Sequence, residues 1–166
     1  MYQVYIVDDA VLTRKALVMT MPWDQWGCVV VGSADDGEKA FEDIREMEPD
    51  IVITDIRMVH VGGLELIGRC RAQGIRSQFI IISGYNEFEL VREAFRLGVY
   101  DYMLKGDLNQ RVLEELLDKV NRQYFKDQDP GRPDMALGDM DPMDMGLAAI
   151  NLPKDGRYGI ILFEVV

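Results

Sequence analysis

The chain has 166 residues, enough for one good hydrophobic core and part of a second. With 29 acids against 18 bases and a net charge of -11, it is poorly suited to binding nucleic acid or anionic lipid non-specifically. No apolar run approaches the roughly 20 residues that cross a bilayer, no basic leader precedes the first strand pattern, and Cys28 and Cys70 lack metal-ligand spacing. A reduced, cytoplasmic, membrane-free protein is the expectation.

The first apolar run, QVYIV (3–7), stops on two aspartates, Asp8 and Asp9. Two like charges at a strand end are costly unless something cationic sits between them. Residues 10–21, with Val11, Leu12, Leu17 and Val18, are predicted to form a helix. Trp23 and Trp26 are predicted to pack the turn after it. CVVVGSA (28–34) is the second strand, and Asp36 a cap for a helix over 37–47 with Ala40, Phe41, Ile44 and Met47 on one face. DIVITD (50–55) precedes a helix over 63–73 with Leu64, Ile67 and Cys70, closed by Gly74. QFIIIS (78–83) precedes a helix over 86–97 with Leu90, Ala94 and Leu97, opened by Asn86 and closed by Gly98. VYDYML (99–104) is followed by a helix over 108–124 with Val112, Leu116 and Val120.

Most of these runs are β-branched or aromatic without alternation, so they are predicted to be buried on both faces. Five β–α repeats predict an α/β, doubly wound parallel sheet with helices on both faces. After Phe125 the periodicity stops. Residues 126–146, rich in Asp, Met, Pro and Gly, read as a linker. Residues 147–166 read as the start of a truncated following region or a docked tail.

In a doubly wound sheet, ligands sit beyond the carboxyl ends of the strands. Those ends supply Asp8, Asp9, Asp55, Ser83 and Lys105. Three carboxylates make an oxygen cage for a hard divalent cation such as Mg²⁺. The cation would relieve their repulsion and screen a phosphoryl group arriving at one of them.

YIVDDA, DIVITDIRM, FIIISGYNEFE and GVYDYMLK resemble the receiver domain of bacterial two-component response regulators, in wording most like the receiver that precedes an AraC-type DNA-binding domain. The resemblance covers about residues 1–124 and implies a receiver domain over 1–125 with flavodoxin-like strand order 2-1-3-4-5. It implies that Asp55 accepts a phosphoryl group from a sensor histidine kinase. Asp8 and Asp9 would hold Mg²⁺ with Asp55 and the backbone carbonyl of Arg57. Lys105 would pair with the phosphoryl oxygens, and Ser83 would hydrogen-bond them. Tyr102 would be the aromatic that swings inward, while Arg57 and Tyr85 tune acyl-phosphate hydrolysis. The implied output is a change in homodimerisation or in an attached transcription domain, with DNA reached only through that domain and no dedicated enzyme activity.

Several positions depart from that pattern. Val59 replaces a proline, Gly62 an acid or Asn, and Ala10 the acid that commonly follows the pair. Gly106 replaces the proline after the lysine, usually joined by a cis bond. Because a cis bond to a non-proline residue costs roughly 2.5–4 kcal/mol, Lys105–Gly106 is expected to be trans, with the lysine amine displaced on an ångström scale. Val59, Gly62 and Gly106 keep open a second reading, an interaction module of receiver shape that has lost its switch. The retained acid triad with Lys105 argues against it. Phosphatases with an aspartyl nucleophile place an acid two residues further on, where this chain has Arg57. A flavin-binding sheet needs a phosphate loop where DDAVLT offers acids. His60 is expected to face solvent without a role.

Overall fold

The structure is a computed structural model that describes residues 1–85 and 87–125. The expected linker and tail over 126–166, and Asn86 as a helix cap, lie outside the described residues. The elements follow in strict alternation: β1 (Tyr2–Val7), α1 (Val11–Thr20), β2 (Cys28–Ala34), α2 (Gly37–Met47), β3 (Ile51–Thr54), α3 (Gly63–Ala72), β4 (Gln78–Ser83), α4 (Phe88–Arg96), β5 (Asp101–Leu104) and α5 (Gln110–Val120). A single 3₁₀ turn, Lys105–Asp107, links β5 to α5, and α5 runs on into a π-helical turn, Asn121–Phe125.

All strand pairs are parallel, in the order β2-β1-β3-β4-β5, so the doubly wound 2-1-3-4-5 sheet is observed. Alternate strand residues divide between two cores. Tyr5, Val7, Val52, Phe79 and Ile81 pack with Ala40, Ile44, Leu66, Ile67 and Ala94 of α2, α3 and α4. Val4, Ile6, Ile51, Ile53, Ile80 and Ile82 pack with Leu17 of α1 and Leu113, Leu116, Leu117 and Val120 of α5. Each such fully buried side chain contributes roughly 1.5–3 kcal/mol relative to exposure. The central strands are buried on both faces as expected, whereas β2 and β5 are only partly so. They are the edges, with one neighbour each.

Local chemistry sets the helix ends. The Asp36 carboxylate accepts from the Glu38 and Lys39 amides at the start of α2, a cap worth about 1 kcal/mol. Gly74 and Gly98 follow α3 and α4 at φ +76° and +71°, a left-handed conformation that glycine adopts without strain. β5 begins later than expected because the Val99 amide is taken by Ala94 O at the end of α4. Trp23 and Trp26 meet edge to face at 5.6 Å, and Trp23 Nε1 donates to Leu17 O at 2.9 Å.

α1 differs from expectation. Leu17 alone of its ten described residues is buried, and Val11 and Leu12 stand 50% and 84% exposed. Its first turn begins at the carboxyl edge of the sheet, where no neighbouring element among the described residues covers those side chains. No described helix is long and apolar enough to cross a membrane.

Candidate functional site

The carboxyl ends of β1, β3, β4 and β5 bring the singled-out side chains to one edge. Asp8 continues the ladder beyond β1, its amide donating to Ala34 O at 3.1 Å. Its Oδ1 accepts from the Ala10 amide at 2.8 Å, and the Arg14 guanidinium donates to its carbonyl. Asp55 follows β3. Its amide donates to Val7 O at 2.9 Å, and its Oδ1 accepts from the Ile56 amide at 2.6 Å. Both carboxylates are buried. With Asp9, which is half-buried, they present oxygens that all lie within 4.8 Å of one another.

Lys105 answers part of the repulsion. Its Nζ lies 2.8 Å from Asp8 Oδ2 and 2.5 Å from Asp55 Oδ2. No cis peptide bond occurs among the described residues, so Lys105–Gly106 is trans, and the lysine still reaches the site. An added Cβ at Gly106 would meet nothing within 4 Å. Burial works to lower the Lys105 pKa, but the hydrogen bonds to Asp55 and Asp8 outweigh it and hold the ammonium above its ordinary value. Burial pushes the Asp8 carboxyl up, against the pull of Lys105 and the Ala10 amide. Three carboxylates against one ammonium leave two negative charges, which a divalent cation would neutralise. The all-oxygen donor set fits a hard cation.

Ser83 ends β4, fully buried, with Oγ accepting from the Tyr85 amide at 3.2 Å. The Tyr102 hydroxyl donates to Tyr85 O. Burial raises the pKa of that phenol, with a hydrogen bond to Ser83 pulling the other way. The Arg57 side chain leaves the carboxylates. Its guanidinium stands 4.3 Å from the Tyr85 ring centroid and 2.6 Å from Glu87 Oε1. His60 is exposed, on the β3–α3 loop at φ +70°.

Three contributors escaped the sequence reading. Glu87 is one, 30 residues from its partner Arg57. Arg14 is another. The third is Gly63, where a Cβ would stand 2.1 Å from the Asp55 carbonyl oxygen. The paired glycines of VGGLEL were its available signal. At Gly62, a Cβ would come 2.9 Å from Ile56 O, and α3 has no side-chain cap. The site therefore gives up a capping acid there for close packing of α3 against the loop carrying Asp55.

Comparison with known proteins agrees with this geometry. The model for the response regulator receiver domain matches residues 4–121. The transcriptional regulatory protein YesN of Bacillus subtilis is 36% identical over 126 residues, covering 74% of this chain and 34% of its own. The transcriptional regulatory protein HptR of Staphylococcus aureus is 31% identical over 128 residues, 77% of this chain and 50% of its own. This chain thus spans a third to a half of those relatives. Among solved structures, the REC domain of AraT, a response regulator from Geobacillus stearothermophilus, superposes with a TM-score of 0.67 at 33% identity over 73% of this chain and 93% of its own. A chain of the CheX–CheY–BeF₃–Mg²⁺ complex from Borrelia burgdorferi does so with a TM-score of 0.65 at 26% identity, over 72% and 88%. A match of that extent goes beyond a shared fold, and the chain belongs to the response regulator receiver domain family.

Proposed function

We propose that residues 1–125 form a phosphorylation-dependent switch of a two-component system, with Asp55 as phosphoacceptor. The observation that carries this reading is the Lys105 ammonium bridging Asp8 and Asp55 beside Asp9, an arrangement of costly charges suited to receiving an anion at a carboxylate.

An Asp55 oxygen forms a bond to phosphorus as the P–N bond of a kinase phosphohistidine breaks. The electron pair leaves with the imidazole nitrogen, which takes a proton from solvent, and Asp55 becomes a mixed anhydride. Asp8, Asp9, Asp55 and the Arg57 carbonyl would hold Mg²⁺, which when bound offsets charge on the phosphoryl oxygens. Lys105 holds the opposite side as a point charge. Ser83 Oγ, accepting from the Tyr85 amide, would turn its own proton from Tyr102 to a phosphoryl oxygen, and Tyr102 follows the loop that Ser83 draws in.

The names of the relatives support a transcriptional output, and the resemblance in wording supplies the rest of the reading. Residues 126–146 act as a linker to a region beyond residue 166, an AraC-type DNA-binding domain. Phosphorylation acts on that domain or on homodimerisation, in the cytoplasm.

Intact mass after incubation with Mg²⁺ and a small acyl-phosphate donor tests the switch. One added phosphoryl group is expected, absent from Asp55→Asn and from an EDTA control. No adduct on the wild-type chain would overturn the reading and leave a receiver-shaped interaction module.

A further inference from the structure

The Arg57 side chain sits two residues past Asp55 and yet turns away from the carboxylates. It crosses from the β3–α3 loop to the β4–α4 loop, where it stacks on Tyr85 and pairs with Glu87. Tyr85 is already held to the site by its amide on Ser83 Oγ and by the Tyr102 hydroxyl on its carbonyl. Arg57, Tyr85 and Glu87 thus form a strap from the phosphoacceptor loop to the start of α4.

The far end of that strap is weakly anchored. Glu87 occupies the N-cap position of α4, but no side-chain cap bond is made there. Its carboxylate goes to Arg57 instead. Of the nine residues of α4, Ala94 alone is buried. An element with so little apolar burial moves at low free-energy cost. Its carboxyl end is fastened differently, by Arg71 donating to Leu97 O and Gly98 O at 3.3 and 3.0 Å. At the amino end, the Arg57–Glu87 pair is one tether to the β3–α3 loop.

That pair is exposed, with side chains 49% and 53% accessible. Exposed pairs are weak and easily exchanged. A guanidinium pairs bidentately with carboxylate and phosphoryl oxygens alike, so charge decides between them, and a phosphoryl group carries more of it than a single carboxylate. Arg57 is the guanidinium nearest in sequence to Asp55, on the same loop.

Building on the switch reading, we propose that Glu87 is a latch. It holds Arg57 on the β4–α4 loop in the unphosphorylated domain and yields it to the phosphoryl group on Asp55. The exchange adds a cation to the acyl phosphate and unfastens the amino end of α4. Glu87 is a positioning residue here, acting only through Arg57.

The test is the lifetime of the aspartyl phosphate, formed with Mg²⁺ and a small acyl-phosphate donor, in the wild type, Glu87→Gln, Arg57→Gln and the double variant. Without its competitor, Arg57 stays on the phosphoryl group and excludes water, so Glu87→Gln is expected to lengthen the lifetime roughly two- to fivefold, the range set by a weak exposed pair. In the Arg57→Gln background the same substitution is expected to change nothing. Glu89→Gln removes a neighbouring charge that pairs with Arg92 instead, and leaves the lifetime as it is. A second readout precedes any chemistry. In the unphosphorylated wild type, the Arg57 Nη2 protons that donate to Glu87 Oε1 are expected to give a shifted resonance, and to lose that shift in Glu87→Gln.

A phosphorylated wild type whose lifetime is untouched by Glu87→Gln, or touched equally with and without Arg57, overturns the latch alone. So does an Arg57 Nη2–H signal that is the same in both chains. A wild-type chain that takes no phosphoryl group overturns the switch reading, and the latch with it, because the latch then has nothing to yield to.

Discussion

At the scale of single residues, Lys105 separates two roles that one amine performs. In the bare site it compensates two buried carboxylates at 2.8 and 2.5 Å. In the phosphorylated site it would hold phosphoryl oxygens. Lys105→Ala leaves Asp8 and Asp55 facing each other without a cation, and removing one partner of a buried pair is strongly destabilising. Because a quarter of the lysine side chain is exposed, the expected loss in urea unfolding is roughly 2 kcal/mol, short of a fully buried pair. Asp55→Asn, which removes a like charge instead, is expected to leave stability unchanged or raised. Lys105→Ala is further expected to accept a phosphoryl group without the accompanying change in the β4–α4 loop. Amide hydrogen exchange over residues 83–97, with and without phosphorylation, checks this. A full wild-type response in Lys105→Ala would remove the lysine from the switch.

At the scale of elements, the site depends on how tightly α3 approaches the end of β3. The Gly63 amide donates to Ile56 O at 2.9 Å, and its Cα faces the Asp55 carbonyl with no room for a methyl group. Gly63→Ala puts a carbon 2.1 Å from that oxygen, so either α3 withdraws or the Asp55 backbone turns. Overpacking of this kind typically costs about 1–3 kcal/mol, and here the strain falls on Asp55, the proposed phosphoacceptor. Thermal unfolding of Gly63→Ala is expected to drop accordingly, with phosphorylation slowed far more than stability alone explains. A variant that is less stable but phosphorylated at the wild-type rate would place the strain in α3 instead.

At the scale of the whole molecule, the two cores carry buried titratable groups whose linkage sets an alkaline limit. Burial raises the Cys28 and Cys70 thiols from 9.0 to about 11. Burial and the hydrogen bond to Asp43 push the Tyr5 phenol upward from its ordinary 10.0. Each is raised in the fold, so its contribution is whole below the unfolded pKa and lost as pH climbs toward the folded one. The urea midpoint is therefore expected to hold to about pH 9 and fall from there to pH 11. Cys28→Ala with Cys70→Ala is expected to flatten the first part of that fall. An unchanged slope would assign the loss to other groups.

The sequence by itself determined the alternation of elements, the two-sided burial of the central strands and the position of each acid, hydroxyl and amine at a strand end. These are local properties: side-chain period, caps such as Asp36, and the residue just past each apolar run. The cost of a non-proline cis bond also led to the expectation that Lys105–Gly106 is trans, as the structure has it. Tertiary structure alone decided what depends on the separation of elements in space. Lys105 comes within reach of Asp55 despite the trans bond, from its place directly after β5 at the carboxyl edge of the sheet. Arg57 goes to Glu87 and Tyr85, a choice invisible along the chain because an exposed arginine takes whichever acid the fold brings near. Val11 and Leu12 stay in solvent although their spacing fits a buried face. Periodicity says which side of a helix is apolar, and only packing decides whether anything covers it.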